Sequence, residues 1–345
     1  MKYTAIDLFS GAGGLSLGLT LAGWSVLDAF ELDPTALATH AANLKLTRHH
    51  CDDVRRVDFR PFRGRITLVA GGPPCQPFSV SGKQLGLDDV RDMVPHYVRA
   101  VDEIRPTAFL MENVSGLASP RFHGYLEETV ERLECLGYDV SWQVLNSADY
   151  GVPQKRLRLF IVGVPKGTSF HFPKPTHGSG RKKPYVTVGD ALADCPEDEP
   201  NRAKVVYAKN PVLRKSSHSG MLLNGKGRPL DVDAPSLTIP ASAGGNRTHV
   251  LDPKGILKKY HAQLMKGGAP RSGVIADCRR LTVRESARLQ SFPDSFDFQG
   301  RRNQKYGQIG NAVPPTFARA VGESILKAIS GQGVAKKPNV AAKRI

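Results

Sequence analysis

One cysteine of this sequence lies in an unusually rigid segment. Cys75 stands within GGPPCQPFS (residues 71–79), directly after an apolar run at 66–70 that predicts a short buried strand. Prolines restrict the backbone there, and open α/β sheets place reacting groups beyond their strand ends. A thiol held in that position is a candidate nucleophile if a neighbouring group lowers its pKa. The other cysteines are expected to be small buried side chains, as most cysteines are: Cys51, Cys135, Cys195 and Cys278.

A carboxylate follows another predicted strand. Glu112 comes after the apolar residues 108–111, so it is placed to face the same cleft as Cys75. A carboxyl group whose pKa is raised by burial acts as a general acid beside such a thiol. Taken alone, a glutamate after a strand is more often a cap or a surface group. Its coincidence with Cys75 favours the catalytic interpretation.

Three long polar donors alternate just before the predicted strand at 159–164. Gln154, Arg156 and Arg158 are spaced so that their side chains would share one face of an extended segment. Two guanidinium groups on one side can hold a carboxylate, a phosphate or a base edge. A solvated basic strand edge is the alternative, and the spacing does not choose between the two.

Two glycine-containing segments are candidates for cofactor contacts. DLFSGAGG (7–14) lies at a strand-to-helix junction, and Glu31 ends the next predicted strand. This pairing is typical of sites for nucleotide-like cofactors, in which the carboxylate accepts hydrogen bonds from the ribose hydroxyls. Its G-x-G-G spacing differs from the G-x-G-x-x-G of dinucleotide sites, so a purely structural turn is the competing interpretation. QIGNAVPP (308–315), which contains GNAVPP (310–315), predicts a rigid loop before a helix, suited to a structural join or to a cofactor contact by Asn311.

The elements that must position these groups alternate as expected for βαβ units and a mostly parallel sheet. Strands are predicted at 3–9, 25–30, 66–70, 108–111 and 159–164, and helices at 15–22, 34–44, 94–104 and 125–136. After residue 165, prolines mixed with Gly, Lys and Arg leave little helical periodicity until 282–290. A closing helix is predicted at 315–330.

Charge divides the chain unevenly. The 345 residues include 48 Lys and Arg against 32 Asp and Glu, a net charge of +16. Residues 1–150 hold 14 basic and 19 acidic side chains, whereas residues 151–345 hold 34 and 13. The basic half is therefore expected to meet a polyanion such as nucleic acid, with a solvated basic surface as the alternative.

Composition also excludes several classes of protein. The sequence has no run of about 18 apolar residues, and Asp7 interrupts the stretch that a signal peptide would need. Five scattered cysteines without a CxxC pair argue against a disulfide framework and a zinc cluster. We therefore expect a cytoplasmic protein that associates with nucleic acid and has no metal site.

The motifs together resemble one family in their order along the chain. DLFSGAGG, PPCQ (73–76), ENV (112–114), Q-x-R-x-R (154–158), RLT (280–282), Q-x-F-P (290–293) and GNAVPP are similar to those of DNA (cytosine-5)-methyltransferases, in particular prokaryotic type II modification enzymes. The resemblance implies an α/β, Rossmann-like S-adenosylmethionine-dependent methyltransferase fold with a mostly parallel sheet and a smaller loop-rich DNA-recognition domain. The implied divisions are a catalytic and cofactor-binding domain at 1–180, a target recognition domain at 181–304, a segment returning to the catalytic domain at 305–330, and a basic disordered tail at 331–345.

The resemblance also implies roles for individual residues. The catalytic set is Cys75, Glu112, Arg156 and Arg158. The S-adenosylmethionine contacts are Phe9, Gly11, Gly13, Glu31, Asp53, Pro73 and Asn311. The DNA contacts are Ser79, Ser81, Lys83, Gln84 and Arg91 in a loop closing over a flipped base, with Thr238, Asn246 and Arg247 in the recognition domain.

The implied reaction is methyl transfer to C5 of a cytosine flipped out of a short double-stranded DNA sequence, through a covalent adduct between Cys75 and C6. A monomer is expected, with a cognate restriction endonuclease acting separately. An RNA cytosine methyltransferase is disfavoured because the Cys-Phe-Thr tripeptide of those relatives is absent. An amino methyltransferase would carry an aromatic residue in place of Cys75, and a catalytically silent DNA-binding protein would have lost Cys75, Glu112 or Arg158. A dinucleotide-dependent dehydrogenase is disfavoured by the glycine spacing.

Overall fold

Seven strands form one sheet in the structure, a computed structural model that describes residues 3–74, 92–181, 183–218 and 220–331. The strands are β1 (Thr4–Leu8), β2 (Ser25–Phe30), β3 (Arg48–His50), β4 (Leu68–Gly71), β5 (Ala108–Val114), β6 (Tyr138–Asn146) and β7 (Leu157–Pro165). Their order is β3-β2-β1-β4-β5-β7-β6. Only β7 runs antiparallel to its neighbours β5 and β6 within this sheet. The predicted α/β architecture with a mostly parallel sheet is confirmed.

Helices cover both faces of this sheet. They are α1 (Gly14–Leu21), α2 (Pro34–Asn43), α3 (Val94–Ile104), α4 (His123–Cys135) and the closing helix α9 (Pro315–Ile329). Alternate residues of each strand face opposite sides. Phe109 packs in a core with residues of α3 and α4, whereas its neighbour Leu110 packs in a core with residues of α1 and α9. The closing helix α9 thus returns to the first helix.

Two strands of this sheet lack a predictive sequence signal. β3 consists of Arg48, His49 and His50, three polar residues without an apolar signal. β6 lies at the sheet edge and leaves seven of its nine residues partly or largely exposed, so it lacks an uninterrupted apolar run. Strands at edges need less apolar burial than central strands, which is why composition does not reveal them.

The second half is built from short elements. They are α5 (Val188–Leu192), β8 (Tyr207–Val212), β9 (Met221–Leu223), β10 (Val250–Leu251), α6 (Ile256–Met265), β11 (Arg279–Arg280), α7 (Val283–Leu289) and α8 (Arg302–Asn311). β8 pairs with β9 and β10 with β11, both antiparallel. None of the helices in the described part of the chain is long and apolar enough to span a membrane.

Two predictions for this half are wrong. Helical periodicity begins before residue 282, because α6 buries Leu257, Tyr260 and Leu264 at helical spacing within a lysine-rich run. The segment at 308–311 is the last turn of α8 rather than a rigid loop, and only residues 312–314 connect α8 to α9. Glycine and asparagine have low helix propensity, but burial of Tyr306 and Ile309 stabilises the helix there.

The predicted target recognition domain at 181–304, called the recognition region below, does not fold around a wholly separate core. One apolar cluster within it is local and contains Leu222, Leu257 and Ile275. A second cluster joins Leu230 and Ile239 to Ala12 of the glycine loop, as well as to residues of α8. Because α8 spans 302–311, the predicted boundary between residues 304 and 305 falls inside a helix. The four-part division stays a prediction, and its tail lies outside the described residues from 332 onward.

Candidate active site

An ion pair joins β5 to β7. Arg158 Nε donates to Glu112 Oε1 at 2.8 Å, and the two side chains are only 15% and 12% exposed. Val114 is the residue of β5 that lies opposite Arg158, so the pair is formed diagonally across the antiparallel strands. The Arg158 Nη1 atom also donates to the carbonyl of Leu157 at 2.7 Å. These contacts orient the Glu112 carboxyl group.

Burial raises the pKa of Glu112 above its usual range, although Arg158 and Arg156 oppose the rise through their positive charges. A carboxyl group with a raised pKa keeps its proton closer to neutral pH. In that state it can donate a hydrogen bond or a proton to a ring nitrogen. The site can therefore act as a general acid.

The backbone that leads to Cys75 lies against this carboxyl group. A Cβ atom at Gly72 would come 3.1 Å from Glu112 Oε2. Asn113 Nδ2 donates to the carbonyl of the buried Pro73 at 3.2 Å, and the Pro74 carbonyl accepts from the Met93 amide at 3.1 Å. Both flanks of the segment 75–91 are thus tied beside Glu112. The structure places Pro73, a predicted cofactor contact, against Asn113.

Six predicted site residues fall within that segment and so lie outside the described residues. They are Cys75, Ser79, Ser81, Lys83, Gln84 and Arg91. Their roles stay predictions.

The glycine loop between β1 and α1 is closed by a carboxylate. Phe9, Gly11 and Gly13 have positive φ angles of 60°, 54° and 95°. Glu31 Oε2 accepts from the Gly11 amide and Oε1 accepts from the Asp33 amide, each at 2.8 Å. A carboxylate has about four acceptor positions, so Glu31 keeps capacity for a diol. The space beside Gly11 is open, since a Cβ there would meet nothing within 4 Å. This arrangement fits a ribose-containing cofactor.

Two other predicted cofactor contacts differ in their surroundings. Both Asp53 carboxylate oxygens accept hydrogen bonds from Arg55, which lowers the pKa of Asp53 to about 2. That ion pair competes with the predicted contact between Asp53 and S-adenosylmethionine. Asn311 is exposed at the end of α8. A role for either residue stays a prediction.

Gln154 and Arg156 are placed differently from Arg158. Arg156 is 2% exposed, and its Nη1 and Nη2 atoms donate to the carbonyls of Ile239 at 3.2 Å and Gly310 at 2.9 Å. The Gln154 side chain accepts from the Ile239 amide at 3.0 Å and donates to Gln290 Oε1 at 2.9 Å. Of the three predicted donors, Arg158 holds Glu112. The other two join the seven-stranded sheet, called the catalytic sheet below, to segments later in the sequence.

Gln290, a residue without a predicted role, lies buried next to Gln154. Its side chain receives a hydrogen bond from Gln154 and donates to the Ile309 carbonyl at 2.6 Å, so one buried amide joins two distant segments. The only signal was the presence of this residue in the ordered set of motifs.

The predicted recognition residues are exposed and held by backbone contacts. Thr238 Oγ1 donates to the Lys155 carbonyl at 2.7 Å, next to the residues that precede β7. Asn246 and Arg247 are exposed on a single turn of 3₁₀ helix, Gly245–Arg247. The buried Arg280 supports that turn by donating to the Thr248 carbonyl at 2.8 Å. The structure thus places Thr238 beside the catalytic sheet.

Comparisons with known proteins agree with this architecture. A family model for C-5 cytosine-specific DNA methylases matches residues 3–327. The chain is similar to the type II methyltransferase M.NgoMIV of Neisseria gonorrhoeae, with 36% identity over 95% of this chain and 99% of the relative. It is also 36% identical to M.XorII of Xanthomonas oryzae pv. oryzae, over 94% of this chain and 84% of that protein.

Solved structures show the same fold. A putative DNA modification methyltransferase encoded within an E. coli prophage matches with a TM-score of 0.68 and 25% identity, over 95% of this chain and 100% of that one. A DNMT2 mutant from Spodoptera frugiperda matches with a TM-score of 0.69 at 15% identity, over 94% of this chain and 100% of that one. Its likeness concerns the fold alone, which is that of S-adenosylmethionine-dependent methyltransferases. The chain belongs to the C-5 cytosine-specific DNA methylase family and is a DNA cytosine-5-methyltransferase.

Proposed function

We propose that this enzyme transfers the methyl group of S-adenosylmethionine to C5 of a cytosine that is flipped out of a short double-stranded DNA sequence. The Glu112–Arg158 pair carries the proposal, because it presents a carboxyl group with a raised pKa next to the backbone that leads into Cys75. Flipping is required since a stacked cytosine cannot offer both faces of its ring to reactants.

The proposed reaction begins with a covalent bond. The Cys75 thiolate adds to C6 of the cytosine while Glu112 donates its proton to N3, which makes C5 an enamine carbon. Arg158 holds the Glu112 carboxyl group and stabilises charge that develops on the pyrimidine. The cofactor, when bound, supplies an electrophilic methyl group on a sulfonium centre. After C5 has lost its proton to a base, the C6–S bond breaks, Cys75 leaves as the thiolate and N3 returns its proton to Glu112.

The glycine loop is the proposed cofactor site. Glu31 would accept hydrogen bonds from the ribose hydroxyls with the acceptor capacity that its two amide contacts leave. Phe9 would pack on the adenine, and Gly11 and Gly13 would line the methionine end. Asp53, Pro73 and Asn311 complete the proposed set, with Asp53 having to share its carboxylate with Arg55.

The proposed DNA surface combines residues of the basic half of the chain with the loop that follows Cys75. Thr238, Asn246 and Arg247 would contact the duplex, and the loop that contains Ser79, Ser81, Lys83, Gln84 and Arg91 would close over the flipped base. Positive charge neutralises phosphates and side chains at base edges provide specificity. We further propose that the enzyme acts as a monomer and that a cognate restriction endonuclease acts separately.

Bisulfite sequencing tests this function. Genomic DNA from a methylation-free host that expresses the enzyme should show protected cytosines in one short motif. The Cys75→Ala variant should protect none, whereas Cys135→Ala should behave as the unmutated enzyme. Cys135, on α4, is free and exposed, and Cys51 is exposed too, so the expectation that these two cysteines are buried is wrong.

Two outcomes would contradict the proposal. Protection retained by soluble Cys75→Ala would refute the nucleophile. If unmutated, soluble enzyme gave no protected DNA cytosines but transferred labelled methyl groups to total RNA, the substrate would be RNA.

A further inference from the structure

Four hydrogen-bonded side chains connect the core beneath the glycine loop to the surface. Asp7 Oδ2 lies 2.5 Å from Ser16 Oγ, which lies 2.9 Å from His40 Nε2. His40 Nδ1 in turn lies 2.9 Å from His49 Nε2. Asp7, Ser16 and His40 are fully buried, whereas His49 is partly exposed. This hydrogen-bonded series of side chains therefore has one end in the core and the other at solvent.

The buried end is an incompletely satisfied carboxyl group. Within the described ranges, Asp7 Oδ1 has no hydrogen-bond partner. Burial raises the pKa of Asp7 to about 7, Ser16 opposes the rise by hydrogen bonding, and the negative charge of Glu31 adds to it. The charge of Asp7 also adds slightly to the raised pKa of the buried Tyr97 of α3, whose hydroxyl donates to the Val69 carbonyl. Asp7 can thus change charge near neutral pH.

The histidines at the other end stay uncharged near that pH. Burial, together with the neighbouring His49, lowers the pKa of His40 to about 3. The pKa of His49 is also lowered, by burial and by His50, which is itself paired with Asp28. Neutral histidine has one donor and one acceptor nitrogen, so each ring can pass a proton through its two atoms.

These donors and acceptors permit two opposite hydrogen-bond directions. With Asp7 ionised, His49 Nε2 donates to His40, His40 Nε2 to Ser16, and the Ser16 hydroxyl to Asp7. When a proton binds His49 Nδ1 from solvent, each group passes one proton onward and Asp7 becomes protonated, with every hydrogen bond reversed and both histidines neutral again. One proton enters and no heavy atom has to move.

The same hydrogen-bonded series of side chains contacts the glycine loop. A Cβ atom at Gly13 would lie 2.9 Å from His40 Cδ2, so the imidazole ring packs directly against this part of the loop. Gly13 is the residue that precedes α1, and Ser16 is in the first turn of that helix. A charge change on Asp7 therefore occurs immediately behind the loop proposed to bind the cofactor.

We propose that Asp7, Ser16, His40 and His49 form a proton relay that lets Asp7 ionise when a cation binds at the glycine loop and regain its proton when the cation is lost. This rests on the proposed function, in which S-adenosylmethionine brings a sulfonium cation and S-adenosylhomocysteine leaves without one. Ionised Asp7 would stabilise the cation and not the neutral sulfur, so the relay favours exchange of product for fresh cofactor. Ser16 and His40 are positioning residues in this scheme.

Titration calorimetry with both cofactors measures the linkage. Binding enthalpies at pH 7 in buffers of different ionisation enthalpy give the number of protons released. S-adenosylmethionine should release more protons than S-adenosylhomocysteine, and its affinity should rise roughly three- to tenfold between pH 6 and pH 8. Asp7→Asn should abolish the part of both effects that exceeds the cofactor's own titration. Asp58→Asn, a surface carboxylate paired with Arg60, should retain it.

Equal proton release by the unmutated enzyme and Asp7→Asn would overturn the relay. If Asp7→Asn does not fold, Ser16→Ala removes the hydrogen bond to Asp7 instead and should move proton release to higher pH. An unchanged pH profile in Ser16→Ala would also overturn the proposal.

The unliganded enzyme separates this proposal from the proposed function. In an NMR titration, the ring signals of His49 should show an inflection near pH 7 that Asp7→Asn lacks, and absence of that inflection would refute the relay. Failure of either cofactor to bind would refute the proposed cofactor site, and the NMR titration would still decide whether the relay exists.

Discussion

The catalytic sheet and the recognition region hold their site residues by different means. Glu112 and Arg158 lie on adjacent strands whose backbones are paired along their length. Thr238 and the turn at 245–247 lie in irregular backbone, which is held by buried side chains such as Arg156 and Arg280 that donate to carbonyl groups. In the sheet, hydrogen bonds between paired strands hold the backbone independently of the side chains. In the recognition region, particular side chains replace the strand pairing as the support.

The largest expected effect is a loss of methyl transfer caused by a substitution in the catalytic sheet. Glu112→Gln keeps an oxygen for Arg158 Nε but loses the acidic proton, so methyl transfer should fall roughly 100- to 1000-fold with little change in stability. Radiolabelled single-turnover assays and urea unfolding measure the two quantities.

The pH dependence sharpens the same test. Because the pKa of Glu112 is raised, kcat/KM should decline as pH rises past that value, and the decline should be absent in the Gln variant. Glu134→Gln, on the exposed face of α4, serves as the control. Full activity in Glu112→Gln would remove its role as general acid.

Arg156→Met should mainly reduce stability, whereas Glu112→Gln should mainly reduce activity. It removes the donors to the Ile239 and Gly310 carbonyls in a buried site, which should lower the free energy of unfolding by roughly 2 to 5 kcal/mol. Arg158→Met should lose activity with a smaller loss of stability. Chemical denaturation of both variants measures the difference. If Arg158→Met proved the less stable of the two, the contrast drawn between the regions would be wrong.

The buried Asp7 predicts a pH-dependent stability difference within the catalytic region. Its pKa is about 7 in the folded protein and 3.8 ordinarily, so its contribution is fully present below pH 3.8 and is lost as pH rises through 7. Relative to Asp7→Asn, the unmutated enzyme should therefore become less stable between pH 4 and pH 7, by at most about 4 kcal/mol.

Unfolding curves of both proteins across that pH range measure the difference. His40 has a lowered pKa and contributes in the opposite direction, with stability present above pH 6.5 and lost as pH falls towards 3. Both proteins contain His40, so its contribution largely cancels in the comparison. A difference that does not vary with pH would mean that Asp7 does not titrate in this range.

The smallest effect is expected on the exposed recognition turn. Arg247→Ala should weaken DNA binding roughly two- to tenfold and reduce the salt dependence of log K by about one unit if the residue contacts a phosphate. Its stability should change by less than about 0.5 kcal/mol, since the side chain is exposed. Lys45→Ala, which removes an exposed lysine from the acidic half, should leave binding unchanged. Fluorescence anisotropy at several salt concentrations distinguishes the two variants.

Much of the catalytic region could be predicted because its central strands are apolar runs and its helices have regular periodicity. The strand β2 and the helix α3 have the predicted bounds, and α9 differs by one residue at its end. α6 and α8 escaped prediction because their stability comes from packing of a few residues, among them Tyr260 and Tyr306, rather than from helix propensity. In the site, the ordered motifs placed Glu112 and Arg158 in one catalytic set. They gave no sign that Arg156 donates instead to the Ile239 and Gly310 carbonyls.

The sequence by itself determined the family, the parallel α/β class and the residue types available for chemistry, because ordered motifs and apolar periodicity are local properties of the chain. Only the tertiary structure decided which polar side chains meet. Asp7, Ser16, His40 and His49 come from four different elements, and their hydrogen bonds depend on how α1 and α2 pack against the sheet. Burial then set the charge states of Asp7 and Glu112, since desolvation depends on all the atoms that surround a group and not on its sequence neighbours.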